Sequence, residues 1–157
     1  MAATVMLLAT PRFSREQALA APLANAARSQ LTETTMLETG EIQVAEAWLA
    51  REIGYAVVVP DIHDAVLVGA RVTDVGDQES AVVVYLSRGM PVTYFALPSG
   101  EVMGQRVSNR GIVTGASDGY TVAVWTERGQ TRALAAPMSQ PELIEMANEC
   151  RSKAVTD

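Results

Sequence analysis

Residues 81–97 read AVVVYLSRGMPVTYFAL. Two apolar runs flank Arg88-Gly89, a pairing that turns a chain tightly back on itself. Ala81–Leu86 is apolar at every position and reads as a central strand, buried on both faces. Val92–Leu97, carrying Tyr94 and Phe95, reads as its antiparallel neighbour. A connection this short cannot be a parallel crossover, which takes about a dozen residues or more.

The same punctuation continues on either side. Upstream, Gly76-Asp77 separates the strand Ala65–Val72 from this pair, and Tyr55–Val59 reads as a further short apolar strand stopped by Pro60-Asp61. Downstream, Glu101–Val107 is a weak strand or a loop. Asp118-Gly119 then joins Ile112-Val113 to Tyr120–Thr126, a strong hairpin signal. Arg128-Gly129 leads into Thr131–Ala135. Two helices bracket these strands. In Glu41–Ile53, Ile42, Ala45, Leu49 and Ile53 recur at helical spacing, Trp48 lies beside that stripe, and Gly54 is placed to close the last turn. Ser139 and Glu142 form a capping box for a closing helix with Leu143, Ile144 and Ala147 on its apolar stripe. The expectation is an α+β fold: a mainly antiparallel five- to six-stranded sheet, a meander or near-meander, packed by an N-terminal and a C-terminal helix.

Residues 1–40 read as a lead-in and 41–157 as the domain. Ser14–Leu31 is Ala-rich and helix-prone, with Pro22 placed to kink or split it. Before it, Met1–Thr10 reads MAATVMLLAT, an uncharged stretch too short to span a bilayer, which takes about 20 residues.

Composition narrows the chemistry. The chain has 157 residues, a net charge of −6, and a single His, Cys and Lys: His63, Cys150 and Lys153. An acidic chain with no basic stripe does not suit nucleic acid. One cysteine forbids an internal disulfide. One His and one Cys cannot fill a closed zinc site, which has four ligands led by thiolate or imidazole. The cluster Asp61, His63, Asp64 therefore reads as a solvated loop. No phosphate-cradling glycine loop is present, so no nucleotide and no other cofactor is expected. Gly115-Ala116-Ser117-Asp118-Gly119 matches G-x-S-x-G, but a nucleophile elbow needs a strand-to-helix turn and here a strand follows. His63 also precedes Ser117, the wrong chain order for that fold. A serine hydrolase using Ser117 and His63 is the weakest of the three functional readings, and no enzyme activity is expected.

Read in order, AEAWLAREIGY, VPDI, LVGARV, YLSRGMPVTYFALP, GYTVAVWTERGQTRALAAP and SQPELIEMANE resemble the extracytoplasmic domain of bacterial transmembrane anti-sigma factors. The matching positions are Trp48, Leu49 and Gly54; Pro60 and Asp61; Leu67, Gly69 and Arg71; Tyr94; and Gly119, Val122 and Trp125. Ala70 departs from the pattern, which prefers glycine there. The cytoplasmic zinc-binding helical domain that holds the sigma factor has no counterpart in this chain. The resemblance implies a non-catalytic periplasmic domain, anchored in the inner membrane through an N-terminal helix that MAATVMLLAT would end. Such a domain regulates transcription through partner binding or proteolytic accessibility. It implies a protein partner such as an envelope protein or a protease, with the sigma factor held only by a cytoplasmic part outside this sequence. Arg88, Tyr94 and Trp125 are the candidate partner surface. The alternative is a stand-alone protein-binding module of the envelope or cytoplasm.

Overall fold

Three of the hairpin turns marked in the sequence pair a left-handed residue with a left-handed glycine. The φ values are 51° and 77° at Arg88-Gly89, 48° and 84° at Asp118-Gly119, and 49° and 76° at Arg128-Gly129. Positive φ at both central residues gives the turn a twist that matches its flanking strands. The structure, a computed structural model, describes residues 15–29, 37–102, 104–107 and 111–154.

Its elements run α1 (Arg15–Ser29), β1 (Leu37–Glu38), α2 (Ile42–Ile53), β2 (Ala65–Val75), β3 (Gln78–Ser87), β4 (Met90–Leu97), β5 (Glu101–Val102), β6 (Gln105–Arg106), β7 (Val113–Ser117), β8 (Tyr120–Glu127), β9 (Gln130–Ala136) and α3 (Gln140–Ala154). The fold is α+β. The main sheet has seven strands in the order β1-β2-β3-β4-β9-β8-β7, every neighbouring pair antiparallel. Two meanders, β2–β3–β4 and β7–β8–β9, therefore meet at one pair of inner strands, β4 and β9. That contact runs in register from Thr93↔Ala135 to Leu97↔Thr131.

Both faces of the sheet are covered. On one side, Ala45 and Leu49 of α2 and Leu143, Ala147 and Cys150 of α3 pack with Val83, Tyr85, Tyr94, Ala123, Trp125 and Leu134. On the other, Leu19, Ala20, Leu23, Ala24 and Ala27 of α1 pack with Val82, Phe95, Leu97, Val122, Val124, Ala133 and Ala135. The helix read as part of a lead-in thus supplies the second cover that an all-apolar central strand requires. It continues through Pro22 without splitting. The small side chains on its buried face let it lie close to the alanines of β9. Arg28 pins its end to the β7–β8 turn: Nη2 lies 3.2 Å from Asp118 Oδ2, and the guanidinium stacks over Tyr120.

Helix α2 ends as expected. Gly54, at φ 78°, donates its N–H to Ala50 O, closing the last turn in a conformation that a Cβ would strain. Tyr55–Val59 is not a strand. It joins neither sheet: Val59 N–H donates to Glu46 Oε1 at 2.9 Å, and the Tyr55 hydroxyl donates to Ala96 O at 3.0 Å, anchoring the segment by side chains. Glu101–Val107 becomes the small β5–β6 hairpin, which tucks Val102 and Val107 into the α1 side of the core. Among the described residues no helix is long and apolar enough to cross a membrane. MAATVMLLAT lies outside the described residues.

Candidate functional site

Helix α3 has two working faces. Leu143, Ala147 and Cys150 point into the sheet. The neighbouring face carries Glu142, Glu145, Met146 and Glu149, whose spacing of three and four residues aligns them along the helix. This second face forms one wall of an open groove of about 170 Å³. The β3–β4 turn contributes Ser87, Arg88 and Met90 to the lining. His63 and Asp64 also line it, as does Met138, which lies just ahead of α3. Three methionines thus line a groove bordered by four carboxylates and one guanidinium.

The walls are held by bonds from the core. Tyr85 Oη donates to Pro60 O at 2.6 Å, fixing the segment that leads to His63. His63 N–H donates to Glu149 Oε1 at 2.7 Å, tying that segment to α3. Asp64 and Arg88 both adopt left-handed backbone, at φ 59° and 51°. For residues other than glycine that conformation persists where the surroundings enforce it. The His63 Nε2–Asp64 Oδ1 contact, at 3.5 Å between two exposed side chains, adds little.

The structure separates the three residues proposed as a partner surface. Arg88 is exposed and lines the groove. Tyr94 and Trp125 are 3% and 1% exposed, so neither offers a surface. Both lie on the inward side of their strands, beneath α2 and α3. Tyr94 Oη accepts a hydrogen bond from Arg132 Nη1 at 3.0 Å, and Arg132 Nη2 donates to Gln130 Oε1 at 2.8 Å. Burial raises the pKa of Tyr94 above its ordinary value, against the opposing pull of Arg132. Burial likewise raises that of Tyr85, reinforced by its neighbour Tyr94. These hydroxyls stay neutral and act as structural donors and acceptors.

Ser117 and His63 occupy different places. Ser117 ends β7 and pairs with Tyr120 across a hairpin turn. It is not among the residues lining the groove that contains His63. Among the described residues, no group of three His, Cys, Asp or Glu is placed to hold a metal ion.

The sequence reading passed over the methionines and the glutamate face of α3. One signal was available: Glu142, Glu145, Met146 and Glu149 share a helix face next to the buried stripe. Their meeting with Arg88 and Met90 depends on the tertiary fold. No family model, curated protein or solved structure matches this chain.

Proposed function

We propose that this chain is a non-catalytic protein-binding domain, the periplasmic half of a membrane-anchored anti-sigma factor, and that it regulates transcription through the partner it holds. The observation that carries the binding part is the groove between α3 and the β3–β4 turn, where methionines and carboxylates lie side by side on an open surface. Methionine is unbranched and polarizable, and surfaces that adapt to protein partners use it heavily. The anti-sigma part is supported by the order of the resembling segments and by the local roles of their residues. Gly54 ends α2, Gly119 turns the β7–β8 hairpin, and Trp125 is a core anchor.

An in-frame deletion of residues 41–154 in the source organism tests this reading. The expected outcome is altered transcription of one coherent set of promoters, measured by RNA sequencing with and without envelope stress. An unchanged transcript profile in both conditions overturns it. Sequencing the DNA upstream of Met1 is a second check, with an in-frame membrane span preceded by a zinc-ligand helix expected there.

A further inference from the structure

We propose that the groove takes a cationic peptide segment of a protein partner, with one large apolar or aromatic side chain seated on the methionines and lysines or arginines on both flanks. This rests on the protein-binding reading above and adds the chemistry of the partner.

Three features of the groove select that occupant. The first is charge. The groove is lined by four carboxylates and one guanidinium, that of Arg88. Asp64 lies beside His63 and Glu149 accepts the His63 N–H, so the charge left for a ligand is that of Glu142 and Glu145. Glu142 and Glu145 are exposed and have no ionic partner among the described residues. Like charges gathered along a cleft focus their field, which draws oppositely charged ligands and speeds their association. An acidic or phosphorylated partner would be repelled.

The second feature is the apolar lining. Met90, Met138 and Met146 are each partly buried; Met138 and Met146 pack against the core of the α2–α3 side and leave part of their apolar surface to the groove. The third is size. A cavity of about 170 Å³ compares with the roughly 150 Å³ engineered cavity that accepts benzene. It has room for one Phe- or Leu-sized anchor, and its open side lets the flanking chain run past the glutamates.

The test uses the full chain and three capped hexapeptides: Lys-Lys-Ala-Phe-Lys-Lys, its counterpart with glutamate in place of every lysine, and Lys-Lys-Ala-Ala-Lys-Lys. Binding is followed by NMR shifts of backbone amides and methionine methyl groups. The lysine–phenylalanine peptide should move the Met138 and Met146 methyls and the Arg88 and Glu145 amides. The glutamate peptide should move none of them. Loss of the phenyl anchor should weaken binding about tenfold. Glu142→Gln combined with Glu145→Gln should weaken it about fivefold. Glu52→Gln, which neutralises an exposed carboxylate on α2, should leave it unchanged.

Equal binding of the glutamate peptide, shifts confined to residues outside the groove, or no binding by the lysine–phenylalanine peptide overturns the proposal. If the deletion described above alters transcription while these peptides fail to bind, only the partner chemistry falls. If the peptides bind and transcription is unchanged, the regulatory reading falls and the groove assignment stands.

Discussion

The two faces of the sheet are built on different principles. The α1 side packs alanine, valine, leucine and phenylalanine, and its cohesion is a matter of shape and exclusion of water. The α2–α3 side also buries tyrosines, a tryptophan and Cys150, while Arg132 reaches Tyr94 from the same region. Buried hydroxyls and guanidinium groups demand partners, and those partners dictate the position of loops as well as of strands. The groove opens at the margin of that second side, where Tyr85 and Glu149 fix its rim. One face seals the sheet, and the other both seals it and arranges a surface.

Four measurements would break or sharpen this contrast. The largest effect is expected at Trp125, the largest of the fully buried side chains. Trp125→Ala should lower unfolding free energy by about 3–5 kcal/mol in a denaturant titration. Leu23→Ala, on the α1 side, should cost about 2–4 kcal/mol. A value within about 0.5 kcal/mol, as for a surface change, would mean that α1 only rests on the sheet.

The third is pH. Tyr85 and Tyr94 have pKa values raised by burial. Below about pH 10, the ordinary tyrosine value, the phenols are neutral in both folded and unfolded chains and contribute no pH dependence. Above it the unfolded tyrosines release protons that the folded ones keep. The unfolded state is favoured, and stability falls by up to about 1.4 kcal/mol per pH unit for each tyrosine. Tyrosinate absorbance should rise together with unfolding. Because the cause lies on the α2–α3 side, Leu23→Ala should lower stability without altering this slope, whereas Tyr85→Phe should flatten it.

The smallest effect is at Arg128, left-handed at φ 49° and exposed in the β8–β9 turn. Asparagine tolerates that conformation better. Arg128→Asn should therefore raise stability by about 0.5–1 kcal/mol, read as a modest rise in melting temperature.

What was legible in the sequence was local. Arg88-Gly89, Asp118-Gly119 and Arg128-Gly129 announced their turns, Gly54 announced a helix end, and AVVVYL announced a strand covered on both faces. The far end of β7 was not legible. Thr114-Gly115-Ala116-Ser117 has little strand character, and its pairing with Tyr120–Ala123 supplies the order. Tyr55–Val59 reads as a strand because it is apolar, yet it joins no sheet and its Val59 N–H is taken by the Glu46 carboxylate. The second cover was implied by AVVVYL, but nothing in Leu19–Ala27 says which surface that helix will find. The groove was hidden for a related reason. Residues 63–64, 87–90 and 138–149 come together only when β3, β4 and α3 are in place.

The β4–β9 junction has a consequence for how the chain reaches this state. Each meander closes through tight turns between consecutive strands, so each can form from nearby residues. Joining them requires Thr93–Leu97 to find Thr131–Ala135 across all the intervening chain, and that ring closure is the entropically expensive event. Refolding should therefore be limited by docking of two preformed sub-assemblies, and changes at that docking line should slow it more than changes in either outer hairpin.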